Sequence, residues 1–283
     1  MLAHADTCGS PWEPAQGHRP RRAPRGRRLL PAAIGAFLAL AGTATVLPPP
    51  TASAATAAWR PDLRAASAFA DDRAGTTRIS IRTSGGAALG LREYARAPSA
   101  SLVKAMLLVG WLRRAADRPL TAGDRRLLDP MVRRSDDVTA TVLRDRLGQG
   151  ALVRLSRAFG MRRFEERPVW GLSRSSPADQ TRFFLRIDRL MPARHRAYGM
   201  RLLATVVAAQ RWGIGRVALP AGWRLYFKGG WGSGTGAVEH QSVLLVRGNR
   251  RVALSVMIAG SPSHGYGKET LRGTFVRLLH GLR

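Results

Sequence analysis

The sequence predicts an α/β fold of the α+β kind: an antiparallel sheet built from both ends of the folded chain, with flanking helices and an inserted all-helical lobe. Three observations predict it. Strand-like stretches stand near the start of the folded region, around Ile79–Ile81, and again between Trp223 and Ile258. The segments between them carry helical periodicity and helix-start signals. Glycine-containing breaks, Gly85-Gly86 and Gly248-Asn249, fall where hairpins would turn.

The elements follow in order. Arg78–Thr83 alternates polar and apolar residues, and Ala87–Tyr94 reads as its hairpin partner. Pro98-Ser99 opens a helix whose body, Leu102–Leu112, is apolar on every side except at Lys104, the mark of a buried helix. Arg113 and Arg114 close it, where cations suit the negative end of the macrodipole. Helices are expected at Thr121–Arg134, Asp137–Leu147, Gly150–Phe159, Pro177–Leu190 and Pro192–Gln210. Ser176-Pro177 is a helix start, with Ser as cap and Pro at the first helical position. Beyond Pro220 the period changes. Trp223–Phe227, Ser242–Arg247 and Arg251–Ile258 read as strands, and Lys268–Leu282 as a closing helix. The sheet lobe then spans about 59–100 and 211–283, and the helical lobe about 101–210.

Residues 1–54 read as an export leader. Six arginines from Arg19 to Arg28 precede an apolar run, Leu29–Leu47, then Pro48-Pro49-Pro50 and the small-residue site Ala52-Ser53-Ala54. A retained membrane anchor is the alternative, since the run approaches the length that crosses a bilayer; the membrane enters only by that route. The expected location is outside the cell, with cell-wall association as one form of it. The lone cysteine, Cys8, lies in this leader, so residues 55–283 have no disulfide framework and no cysteine metal site. No cofactor or metal is expected: His195, His240, His264 and His280 do not pair at ligand spacing, and His240 beside Glu239 reads as a loop residue.

The formal charge is +28. Its basic residues are scattered, without a long tract or an interleaved aromatic ladder, so nucleic acid is not the expected partner. Anionic cell-wall polymers suit an exported cation better, although arginine enrichment can also be plain compositional bias.

Only three of the 46 basic residues are lysines: Lys104, Lys228 and Lys268. Lysine, unlike arginine, gives up its proton readily when desolvated. Lys104 closes Ser101-Leu102-Val103-Lys104, where the i and i+3 positions share a helix face. Burial without a partner would push its pKa down, and a lysine so perturbed can activate a serine; a lysine that threads its amine to the surface would look the same in sequence. Ser135-Asp136-Asp137 lies between two helices and also reads as a cap. Lys228-Gly229-Gly230 ends an apolar strand and also reads as a glycine-rich bend.

Taken in this order, these fragments resemble the S-x-x-K, S-D-N and K-T-G set of the serine β-lactamase and penicillin-binding protein superfamily, and within it the class A-like secreted hydrolases of actinobacterial type. The resemblance spans nearly all of residues 55–283 and implies a β-lactamase/transpeptidase-like fold. It implies that Ser101 is the acylated nucleophile, Lys104 its proton acceptor and Ser135 the relay to the leaving nitrogen. Lys228 would steer the substrate carboxylate. Ser101 and Trp231 would offer the backbone N–H groups of an oxyanion hole, and Asp136 would bond backbone across the lobe junction. Asp137, Gly229 and Gly230 would line the substrate site, and the substrate would be a β-lactam or a peptidoglycan stem-peptide amide of the D-Ala-D-Ala kind.

Three departures bear on this. Asp137 stands where the family has Asn, and an ionised carboxylate cannot donate a hydrogen bond. Gly229 replaces a hydroxyl residue that helps hold the substrate carboxylate. The loop Met161–Pro177 lacks the Glu-x-x-x-Asn pattern that holds a hydrolytic water, leaving Glu165 and Glu166 as candidate bases or as a solvated pair. Slow deacylation follows, and so does the alternative of a catalytically impaired protein that binds wall fragments or a partner. Trp170, Trp212 and Trp231 are candidates to line a cleft or simply to pack.

Overall fold

The computed structural model describes residues 59–232 and 237–283. The leader, its Cys8 and the Ala52-Ser53-Ala54 site lie outside them. Helix α1 (Leu63–Asp71) starts at Asp62, whose carboxylate accepts the Ala65 N–H. Strands β1 (Thr76–Thr83) and β2 (Ala88–Leu91) form the first hairpin, and β3 (Ala97–Pro98) pairs with β4 (Arg174–Ser175) in a small second sheet. Then come α2 (Val103–Arg114), α3 (Ala122–Arg133), α4 (Asp137–Leu147), α5 (Ala151–Ala158), α6 (Pro177–Phe184), α7 (Ile187–Leu190) and α8 (Ala193–Ala204). Strands β5 (Arg224–Gly232), β6 (Val238–Arg247) and β7 (Arg250–Ala259) and helix α9 (His264–Leu278) complete the chain. Among the described residues no helix is long and apolar enough to cross a membrane.

The main sheet is antiparallel throughout, in the order β2-β1-β7-β6-β5. The first hairpin therefore pairs with the last strand, and both chain ends build one sheet. Alternation along β6 and β7 divides the core in two. Val243, Leu245, Val252, Leu254, Val256 and Ile258 join Leu271, Phe275 and Leu278 of α9 on one face. Leu244, Val246 and Ala253 face the helices on the other. That side centres on α2, whose residues Val103 to Leu112 are all buried, as the apolar run requires.

Capping sets the helix entries that matter for the site. Ser176 Oγ accepts the Asp179 N–H with Pro177 in the first turn of α6, and Asp136 caps α4 by accepting the Thr139 N–H at 2.7 Å. Asp136 is thus structural within its own helix; among the described residues its carboxylate has no hydrogen bond across a lobe junction.

Helix α1 has no counterpart among the elements expected from sequence. Three expectations change. The segment read as one helix from Pro177 to Leu190 breaks between Phe184 and Ile187, and the next ends at Ala204. Helix α6 lies on the sheet, with Thr181 Oγ1 3.0 Å from Ser80 Oγ on β1, rather than in a separate helical lobe. Strand β5 does not end in a bend at Lys228; it runs on to Gly232, paired with β6 throughout.

Candidate active site

Ser101 sits in a 3-10 turn, Ala100–Leu102, that leads into α2. Ala100 before it has φ 44°, a left-handed conformation that costs a residue with a Cβ about 1–3 kcal/mol and must be imposed by its surroundings. The surroundings are visible. Ser99 N–H donates to Ser173 O at 2.6 Å, and Gly230 of β5 presses against the turn so closely that a Cβ there would lie 3.0 Å from the amide nitrogens of Ser101 and Leu102. Only glycine lets the strand come this near.

Lys104 is one turn on and fully buried. Its Nζ donates to Ser101 Oγ at 3.0 Å, Ser135 O at 2.5 Å and Asp137 Oδ1 at 2.5 Å, with Ser135 Oγ at 3.3 Å. Burial lowers its pKa, and the hydrogen bond and charge of Asp137 oppose that shift. Ser135 is held at φ 61°, again left-handed, which turns its carbonyl and hydroxyl toward the same amine. From the far side, Lys228 Nζ donates to Ser135 Oγ at 2.8 Å and Gly229 O at 2.7 Å. Lys228 is drawn well below the ordinary lysine range, first by burial and then by the charge of Lys104.

The structure therefore brings Ser101, Lys104, Ser135, Asp137 and Lys228 into one hydrogen-bonded chain from three separate parts of the sequence. Neither lysine threads its amine to solvent. The Ser135 hydroxyl accepts from two amines, so its own proton is left to point elsewhere. Ser101 and Ser135 are each 8% exposed, whereas the Asp137 side chain is 76% exposed.

Glu165 and Glu166 do not join the cluster. Glu165 is paired with Arg96 at 2.8 Å and with Arg167. Glu166 is half-buried and has no hydrogen bond to Lys104 or Ser101 among the described residues. The residue of this loop that reaches the site is Trp170, whose ring lies 5.0 Å from Lys104 Nζ while its Nε1 donates to Thr141 Oγ1 at 3.0 Å. An indole cannot take a proton from water, so Trp170 brings no base to Lys104.

Gly229 shows what its missing side chain makes room for: a Cβ would lie 3.0 Å from the Trp212 ring. Trp212, Trp231 and His264 form an aromatic cluster behind β5, with Trp231 stacked on His264 at 5.7 Å and Trp212 edge-on to both. Trp231 thus packs behind the strand, while its backbone follows Gly230 directly. In the same cluster Glu239 Oε1 lies 2.6 Å from His264 Nδ1, and burial pushes the Glu239 carboxyl up to about 8.

His240 is not in a loop. It is a fully buried residue of β6, with Nε2 2.8 Å from Pro98 O and Nδ1 accepting the Ile258 N–H. The ring fastens the sheet to the segment that leads into Ser101. Burial lowers its pKa to about 4. Below the ordinary value of 6.5 the unfolded chain takes up a proton that the folded chain refuses, so stability is lost as pH falls from about 6.5 toward 4. Urea unfolding at pH 7 and pH 4 should show His240→Gln losing about 3 kcal/mol less than the native chain over that interval. Equal losses would mean the imidazole is not held neutral.

Residues 120–280 match the model of the family described as the beta-lactamase enzyme family. That span contains Ser135 to Asp137 and Lys228 to Gly230 but begins after Ser101, so the nucleophile position rests on the geometry above. Similar solved structures include a β-lactamase from Sphaerobacter thermophilus (19% identity, TM-score 0.65, covering 77% of this chain and 97% of that one). A class A β-lactamase from Mycobacterium abscessus matches at 20% identity and TM-score 0.64, covering 76% and 96%. An ancestral class A β-lactamase matches at 18% and 0.62, covering 75% and 96%. At such identities the likeness is one of fold. No curated protein sequence matches.

Proposed function

The chain belongs to the beta-lactamase enzyme family, and from that premise we propose that it is an exported serine hydrolase, acylated at Ser101 by a β-lactam or a D-Ala-D-Ala-like amide and slow to release the acyl group. The observation that carries this reading is the Lys104 amine, buried and 3.0 Å from Ser101 Oγ, tied through Ser135 to a second buried lysine.

Lys104, with its pKa depressed, takes the Ser101 proton as Oγ attacks the substrate carbonyl. The negative oxygen that forms is held by the N–H groups of Ser101 and Trp231, a reading supported by the close approach of β5 at Gly230 to the Ser101 turn. Ser135, accepting from both lysines, gives its own proton to the leaving nitrogen and is reprotonated from Lys104. Lys228 and Ser135 face the substrate carboxylate; Gly229 adds no hydroxyl there. The ester on Ser101 then persists, because the loop that would supply a water-activating base brings the Trp170 indole to Lys104 while Glu165 is held by Arg96 and Arg167. The leader read in the sequence would deliver this chemistry to the cell wall.

Intact-protein mass spectrometry after incubation with benzylpenicillin tests the reading. The native chain should gain the mass of one penicillin and keep it for minutes to hours; Ser101→Ala should gain nothing. A folded native chain that takes up no label at millimolar probe would sink the reading. It would favour instead a catalytically impaired wall-binding protein, for which the tight Asp137–Lys104 pair speaks.

A further inference from the structure

A second concavity of about 510 Å³ lies apart from Ser101, lined by Tyr94, Arg96, Arg162, Arg163 and Arg182. Four arginines around one hollow repel one another, so something must hold them there. Asp179 is the frame. It is fully buried, and its two carboxylate oxygens accept the backbone N–H of Arg162 at 2.8 Å and of Arg163 at 2.7 Å, while Oδ1 also accepts from Arg182 Nη1 at 3.1 Å.

The nearby negative charge is already committed. Glu165 is shared between Arg96 and Arg167, and Glu93 turns its carboxylate to Ser80 Oγ. Arg162 and Arg163 are exposed and have no carboxylate partner among the described residues. Arg163 lies 5.5 Å over the Tyr94 ring, which keeps that guanidinium oriented.

We infer that this hollow binds a linear polymer of phosphate groups. Guanidinium forks match phosphate oxygens two at a time, and Arg162 and Arg163 bring two such forks without a carboxylate partner beside Arg96 and Arg182, which Glu165 and Asp179 already pair. The volume suits a ligand far larger than one ion. Nucleic acid fits less well. Its bases need open aromatic faces, and Tyr94, the one ring here, has a face taken by Arg163.

Titration of the full chain with poly(glycerol phosphate), orthophosphate and an oligothymidylate of equal phosphate number tests this. The polymer should bind, with orthophosphate competing only at concentrations at least a hundredfold higher per phosphate. Arg162→Ser/Arg163→Ser keeps both backbone N–H bonds to Asp179, so it should fold normally, weaken binding at least tenfold and reduce the salt dependence. Arg113→Ser/Arg224→Ser, which removes the same charge elsewhere, should change affinity less than twofold. Equal losses in the two double variants would show that net charge alone binds the polymer and would overturn the site. Binding of the oligothymidylate as tight as that of the polymer would overturn the choice of ligand. Labelling at Ser101 is read separately and is unaffected by either result.

Discussion

Replacing Lys104 by methionine is expected to slow acylation of Ser101 by about 10²–10⁴-fold, the range for removing a positioned proton acceptor. Methionine keeps the volume and much of the stem of the side chain in the packed core of α2 and removes only the amine. Stability should change far less than rate, because two effects oppose. A buried ammonium is costly to desolvate, and that cost disappears. Against this, Ser101 Oγ and Ser135 O lose a donor. Asp137 loses its partner too, but its side chain is 76% exposed and water replaces the bond. The melting temperature should therefore move by only a few degrees. The pH profile carries a second signature. Burial lowers the Lys104 pKa, so the native acylation rate should rise with pH through a value below the ordinary 10.5 as the amine becomes able to accept a proton. That limb should vanish in the variant. A reporter penicillin followed by stopped flow measures both, and an unchanged rate would remove Lys104 from the reaction.

How much of this was legible before the structure follows from what each signal depends on. Lys104 could be singled out because one charge in an apolar helix is a local anomaly, and Ser101 because i and i+3 share a face. The tie between Ser135 and Lys228, which are 93 positions apart, was legible only as a resemblance to a known order of motifs. That one sheet is built from both ends was legible because strands stood at both ends of the folded chain. What remained hidden depends on contacts between distant segments. His240 looked like a loop residue because it stands beside Glu239; in fact Glu239, His240 and Gln241 are all buried on β6, and each bonds a different element. Trp170 could be named as a cleft residue but not placed over Lys104, since that placement depends on Thr141 of α4. Gly229 read as a lost hydroxyl, whereas the structure shows Trp212 occupying the space. Glu165 and Glu166 read as candidate bases or as a solvated pair; what the sequence concealed is that Arg96, far off in the chain, and Arg167 hold Glu165.

Asp137→Asn should raise the rate of acylation by benzylpenicillin about 10–10²-fold, the opposite of what substitution at a working catalytic residue does. Two consequences of the native carboxylate motivate this. Oδ1 sits 2.5 Å from Lys104 Nζ, where its charge raises the lysine pKa against the lowering effect of burial and so favours the protonated amine. Asparagine retains an acceptor oxygen for that bond without the charge, and more of the amine is then free to act as a base. The second carboxylate oxygen belongs to a side chain open to the cleft and can only accept hydrogen bonds. Benzylpenicillin presents an acylamide carbonyl beside its β-lactam ring, and two acceptors facing each other repel; the asparagine NH₂ converts that contact to a bond worth roughly 1–2 kcal/mol, about tenfold in rate. The two effects separate with a second probe. 6-Aminopenicillanic acid has the same ring and carboxylate but offers a free amine in place of the acylamide, so it gains only from the freed lysine and loses a favourable acceptor. The ratio of benzylpenicillin to 6-aminopenicillanic acid rates should therefore rise at least tenfold in the variant. If both probes accelerate equally, Asp137 acts on Lys104 alone and does not face the substrate. If neither changes, the ion pair is no brake on the reaction, and the slow step lies elsewhere in the cleft.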